Sequence, residues 1–570
     1  MIRATCSGTG SARPPRRIEM ATVMNRSRSA LAALLAAAAC SGIASPHADA
    51  CGGFFCQVVP IDQAAEQIIF RQTGNQVTAV VLIQYQGDAT EFSWVVPVPG
   101  VPELSVGSDL VFQPLELATR PQFILETRGA LCPGSLLDEF VRGGLASGAP
   151  DFSNEDDGVQ VLERLAVGPF AIEIVTSDDA QALATWLTDN DYDLTDRGRE
   201  LIAPYVDEGM NFVAVRLQQD QGVGDIQPLI MRYVSEKPTI PIRLTAVAAM
   251  PDMGVVVWLL GPSRAVPLNY LHVVPNYTLL NWYAGTLNAY ASYQGLITAA
   301  MNEVGGQGFA TDYAGRDLDV LAQLPSVQTF TQEMTALAGI ADDAGFVAAL
   351  AGNFVFPQDK TIEILRRELP LPEGNDEFVY QVPELLSGVF TPEQLSAARS
   401  DIVTELNDTV IAPLEETLAV LDGGHYLTRM YTTLSAEEMT LDPTFFFNPD
   451  LGEQQRDRNA LLDVNCNTWS LTLGKGTGRD GERVINGVGP PPAFIVPAIG
   501  QENIWQTATM STSGAPQVVT QKNYAIARVS TRADGSFRIC GAGLIPFLLM
   551  SSAVLLCARG RRPSPGHGDT

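Results

Sequence analysis

A charge-free apolar run at residues 541–558 sets the firmest limit on what this chain can fold into. It contains Gly541, Leu548, Leu556 and Ala558, and Arg559, Arg561 and Arg562 follow at once. At about 1.5 Å per residue it covers roughly 27 Å, close to the hydrocarbon thickness of a bilayer. Positive charge beside a span marks its cytoplasmic end. The run therefore reads as a transmembrane helix at 540–558 with a basic cytoplasmic tail at 559–570, and the bulk of the chain outside the cytoplasm. A tripartite sorting signal cut near Cys540 is the minor alternative, and the tail beyond Arg562 departs from that pattern.

The other end agrees. Met24 is the better start; Arg26 and Arg28 follow, then an apolar stretch at 30–39, then Ala48-Asp49-Ala50. Basic, apolar and small-x-small segments in that order form a secretory signal, here cleaved between Ala50 and Cys51. The apolar stretch is shorter than the ~20 residues a span needs. A lipoprotein reading at Cys40 lacks the usual Leu three residues before the cysteine.

Charge and cysteines fit an exported body. The net charge is −28; residues 1–50 carry +4 and the tail +2, which leaves −34 between them. Such a surface repels phosphate backbones, so nucleic acid is excluded as a partner. Of eight cysteines, Cys51, Cys56, Cys132 and Cys466 fall in the ectodomain. In an oxidising compartment four cysteines read as two disulfides, with three possible pairings. The gap between Cys51 and Cys56 is too wide for a zinc knuckle.

The pattern predicts an α+β chain. Residues 51–275 form a β-rich to mixed α+β ectodomain. Within it, the runs at 76–85 and 91–97 read as a hairpin around Gly87-Asp88, and Pro97, Pro99 and Pro102 end the second run. A strand at 171–175, a helix capped by Ser177-Asp178-Asp179, a helix near 197–206 and strands at 211–217, 240–248 and 255–260 follow. Residues 276–425 are mainly helical, with amphipathic stretches at 279–303, 328–351, 359–368 and 392–421. Residues 426–473 return to β character, and 474–539 read as a Gly/Pro/Ser/Thr-rich stalk or linker.

Several motifs carry a family resemblance. They are Cys51-Gly52-Gly53-Phe54-Phe55-Cys56, the run from Ile68 that ends in Trp94-Val95-Val96-Pro97-Val98-Pro99, Asn302-Glu303-Val304-Gly305-Gly306 with Asp312-Tyr313-Ala314-Gly315, and Tyr426-Leu427-Thr428-Arg429-Met430-Tyr431-Thr432-Thr433-Leu434-Ser435 running on to Asn448-Pro449-Asp450-Leu451. With them the chain resembles the bacterial domain-of-unknown-function family 2330 over roughly residues 51–455. The resemblance implies export and a shared fold, and brings no catalytic residues with it.

The sharpest chemical motif is Asp189-Asn190-Asp191-Tyr192-Asp193-Leu194 with Glu200. Asp189, Asp191, Asp193 and Glu200 match the spacing of oxygen ligands in a calcium loop. Leu194 stands where the sharp turn wants Gly, so the competing reading is an acidic turn between two helices. Only His272 and His425 could serve the ectodomain as bases, and neither adjoins a nucleophile motif. Gly474-Lys475-Gly476-Thr477-Gly478 lacks the spacing of a phosphate loop. Trp94, Trp258 and Phe445–Phe447 read as core. Gly305-Gly306 with Asp312 reads as a helix cap and turn, or as a ligand loop.

These features predict an exported, membrane-anchored envelope protein, more an interaction or structural ectodomain than an enzyme, with no catalytic residues. The partner would be another envelope protein or a glycan. No cofactor is expected apart from possible calcium. An extracytoplasmic hydrolase and a calcium-dependent binding module are the alternatives.

Overall fold

The computed structural model describes residues 63–82, 92–130, 160–190, 194–218, 226–280, 285–372, 377–423, 425–465, 468–473, 483–488, 502–522, 529–531 and 537–539, with a few single positions between them. Residues 1–50, Cys51, Cys56, Cys132, Cys466, Asp191, Asp193, Gly474–Gly478 and the apolar run with its arginines lie outside these residues. Among the described residues no helix is long and apolar enough to cross a membrane.

The fold is mixed α+β, built on a ten-stranded sheet. Its spatial order is Gln517–Gln521, Ile504–Thr509, Leu271–Pro275, Gly308–Arg316, Tyr426–Leu434, Ala249–Gly261, Gln63–Thr73, Gln76–Leu82, Leu229–Val234 and Glu103–Val106. Two neighbouring pairs are parallel, Gln63–Thr73 with Ala249–Gly261 and Leu271–Pro275 with Gly308–Arg316.

Side chains alternate across a strand, so each central strand feeds two cores. Ile68, Phe70, Val257, Leu259 and Met430 pack towards a four-stranded sheet, where they meet Trp94, Val96, Phe170 and Val213. Ile69, Trp258, Leu260 and Leu427 belong to the core on the opposite, helical side, with Leu115, Tyr293 and Leu414. That side carries the helices Phe112–Thr119, Gly285–Asn302, Gln358–Glu368 and Ala412–Leu421. The four-stranded sheet runs Ser93–Val98, Asn211–Leu217, Phe170–Thr176, Gln160–Val167, antiparallel throughout. Its other face is covered by the helices Ala180–Asp189 and Asp196–Asp207, through Val95, Phe212, Trp186 and Tyr205. The layers are therefore helices, small sheet, large sheet, helices.

Several expectations need correction. The runs at 76–85 and 91–97 are not partners. Gln76–Leu82 folds back on Gln63–Thr73 through a two-residue turn at Gly74-Asn75, and Gly74 takes φ +63°, which a glycine adopts without strain. Ser93–Val98 joins the other sheet, pairing with Asn211–Leu217. Both runs are buried on both faces, so neither carries an alternation that would name its partner. Ser93–Val98 is an edge strand, which explains why Pro97 is tolerated inside it. The expected strand at 240–248 is instead a short helix, Ile242–Thr245, after Pro241. Gly308–Arg316 is a strand inside the region read as helical, so Asp312 and Tyr313 are strand residues and not part of a loop. Gly305 and Gly306 do end the preceding helix, at φ +65° and +74°. Within the segment read as a stalk, Ile504–Thr509 pairs with Leu271–Pro275 and extends the large sheet.

Candidate functional site

Two polar centres flank the large sheet. On the helical side, Arg429 sits on the central strand with its side chain fully buried. It donates to Asp312, itself fully buried, and through Nη2 and Nε to Glu116 on helix Phe112–Thr119. Tyr293 Oη donates to Asp312 Oδ1, and Tyr290 Oη to Glu116 Oε1 at 2.7 Å. Arg458 Nη2 donates to the Asp312 carbonyl at 3.0 Å. Every charge here has a partner. The arrangement ties the sheet to two helices and to the strand Asp457–Asn465 that carries Arg458, and leaves no group exposed for chemistry.

Between the two sheets lies a cavity of about 120 Å³. Its apolar wall includes Ile68, Phe70, Trp94, Val96 and Met231. Its polar wall is uneven. Asp442 accepts from Tyr205 Oη at 2.9 Å and from Arg243 Nε at 2.9 Å, and Arg243 reaches on to Glu208 at 2.8 Å. The Arg243 guanidinium also stands 4.2 Å from the centre of the Tyr205 ring. That corner is saturated. Burial raises the Asp442 carboxyl, against the hydrogen bonds from Arg243 that lower it. Glu66 differs. It is 7% exposed, and its Oε2 has no hydrogen-bond partner among the described residues. Burial pushes its carboxyl up to about 7. Tyr233, also on the wall, is raised by burial too and stays neutral.

A larger cavity, about 310 Å³, opens beside the turn at Gly168 and the helices Gln358–Glu368 and Pro392–Leu406. Its charges include Lys360, Glu363, Arg367 and Glu405, and Arg367 lies 2.7 Å from Glu405.

Of the calcium-loop candidates read from the sequence, the described ones are Asp189 and Glu200. Asp189 ends one helix and Glu200 lies on the next, its side chain 74% exposed and 3.6 Å from Arg197. Between them Tyr192 and Leu194 turn into the core, and Thr195 caps the second helix by accepting from Gly198 N at 3.1 Å. Among the described residues no group of three or more His, Cys, Asp or Glu is placed to hold a metal ion. His272 meets the Thr311 hydroxyl at 3.1 Å, and burial, helped by Arg264, pushes it down to about 3. His425 is held by its backbone N–H on Asp317 Oδ2 at 2.6 Å. Neither histidine lines either cavity. Trp94, Trp258, Phe445 and Phe447 are buried.

Sequence reasoning missed Glu66 and Arg429. The signal for Glu66 was present: it stands in phase with Ile68 and Phe70, and a period of two turns it onto the same buried face. Arg429 stands the same way between the apolar Leu427 and Tyr431.

A family model described as an uncharacterised protein conserved in bacteria, domain-of-unknown-function family 2330, matches residues 45–336. No curated protein and no solved structure matches the chain.

Proposed function

From the premise that the chain belongs to the bacterial domain-of-unknown-function family 2330, we propose that it is an exported, membrane-anchored envelope protein whose ectodomain acts by binding. The order of basic, apolar and small-x-small residues before Cys51, and the apolar run before Arg559, support the location. The partner on this reading is an envelope protein or glycan outside the cytoplasm.

The observation that carries binding over hydrolysis is the position of the two ectodomain histidines. A hydrolase of the histidine type needs a base facing a nucleophile in an accessible pocket. His272 is committed to Thr311 and held neutral, and neither His272 nor His425 lines either of the two cavities described among these residues.

Location is tested by protease treatment of intact spheroplasts, with N-terminal sequencing of the mature chain. The expected result is digestion from outside, an N-terminus at Cys51 and a protected C-terminal tag. A protected chain that retains residues 1–50 overturns the proposal. Thiol counting on the exported product tests the two disulfides; free thiols at Cys51, Cys56, Cys132 and Cys466 would refute them.

A further inference from the structure

We propose that the cavity between the two sheets is a binding site for a small primary amine with a short apolar body, and that the Glu66 carboxylate is its counter-ion. This deepens the binding reading of the ectodomain and rests on it.

The size fits such a ligand. An apolar cavity of about 150 Å³ accepts benzene, so about 120 Å³ suits a chain of a few carbons. The wall is mostly apolar, which gives the body of the ligand its surface, and among its described side chains the buried acceptor without a partner is Glu66 Oε2. A buried polar atom left unpaired costs about 1–3 kcal/mol, more when charged, so an incoming donor removes a penalty already present.

Three observations favour a cation over a neutral donor. Trp94 and Tyr233 both line the space, and aromatic faces attract ammonium groups. The strongly negative chain raises the local concentration of cations. The cations nearby do not satisfy Glu66. Arg243 is spent on Asp442 and Glu208. Lys237 is half-buried on the same wall, yet burial alone governs the Glu66 carboxyl.

The test uses the full chain, purified in detergent at pH 8, where Glu66 is ionised. The other titratable groups on the wall are Tyr205, Tyr233, Lys237 and Asp442. The probes are n-butylamine and its neutral counterpart butan-1-ol, followed by saturation-transfer NMR and melting temperature. The amine is expected to bind saturably and at least about tenfold more tightly than the alcohol. Glu66→Gln should remove that preference while the alcohol still binds. Ala79→Leu, which fills the cavity and leaves Glu66 in place, should abolish binding of both, and circular dichroism checks that each variant folds. No binding to the parent chain overturns the proposal, since the space then holds water only. Equal affinity for amine and alcohol, or undiminished amine binding by either variant, overturns it too. None of these failures bears on the spheroplast result, so the site and the location stand or fall separately.

Discussion

Arg429 shows how one residue can tie the large sheet to the helical layer beside it. Its charge is buried at the centre of the large sheet and is tolerable only because Asp312 and Glu116 both accept from it. Removing one partner of such a buried set leaves an uncompensated charge, at a cost of about 3–5 kcal/mol. Arg429→Met should therefore lower stability by that amount in chemical denaturation, leaving the buried Asp312 charge with only the Tyr293 hydroxyl to donate to it. Adding Asp312→Asn to Arg429→Met should recover part of the loss. A double variant as unstable as the sum of the two singles would mean that the ion pair is not the coupled element.

Glu66 makes the opposite case, a buried acid with nothing to pair it. Folded, its carboxyl titrates at about 7; the ordinary value is 4.5. Between those pH values the folded chain holds a proton that the unfolded chain has released. Stability from this group is thus complete below 4.5 and falls as pH rises through 7. The difference amounts to about 3 kcal/mol. His272 works in the other direction: held neutral down to about 3, it costs stability as pH falls below 6.5. Comparing Glu66→Gln with the parent chain cancels the His272 contribution. The variant should gain about 3 kcal/mol relative to the parent between pH 4.5 and 8. A difference that does not vary with pH would show that Glu66 is not buried uncharged.

At the scale of elements, the long stretch 392–421 was legible as helical, but not its internal break. Pro392–Leu406 and Ala412–Leu421 are joined by one wide turn, Asn407–Ile411. Pro413 has no N–H, so the carbonyl of Thr409 loses its helical donor. The Gln227 side chain, buried on the neighbouring loop, supplies one at 2.7 Å. Gln227→Leu should cost about 0.5–1.5 kcal/mol, the net worth of one such hydrogen bond at this half-buried carbonyl. Pro413→Ala in the same chain should reduce that cost by restoring an N–H donor; an unchanged cost would sever the link between the two residues. The sequence announces the proline but not the glutamine, which arrives from 182 residues away along the chain. The same limit governed strand pairing. Asn211–Leu217 was readable as a strand from its own residues, and Asp179 and Thr195 were readable or recoverable as caps because capping is local. That Ser93–Val98 pairs with Asn211–Leu217 and not with Gln76–Leu82 depends on contacts more than a hundred residues apart. Glu66 was legible in principle from its phase; that it faces a cavity was not, because the cavity exists only once two sheets stack.

At the scale of the whole molecule, the question is where the folded body stops. Composition after residue 474 suggests a loose stalk, but residues 502–522 are bound into the sheet. Ile504–Thr509 pairs with Leu271–Pro275, and Ile504, Ala508 and Met510 are buried. Asn503 is held through its backbone and side-chain nitrogens on Glu303 Oε1, at 2.6 and 2.7 Å. Asn448 Nδ2 donates to the carbonyls of Ser511 and Gly514, at 2.8 and 3.0 Å, which fastens the following turn. A chain that ends at 473 would uncover the edge of Leu271–Pro275 and the side chain of Val266, which packs with Ala508 and Met510. Full burial of a Met or Ile side chain is worth about 1.5–3 kcal/mol, so the loss should reach roughly 5 kcal/mol. An unpaired, apolar strand edge also invites aggregation. A chain that ends at 522 keeps every one of these contacts. The shorter chain should therefore melt well below the longer one and self-associate. Equal melting temperatures for the two would confine the folded body to residues before 474 and return the rest to the loose stalk that its composition suggests.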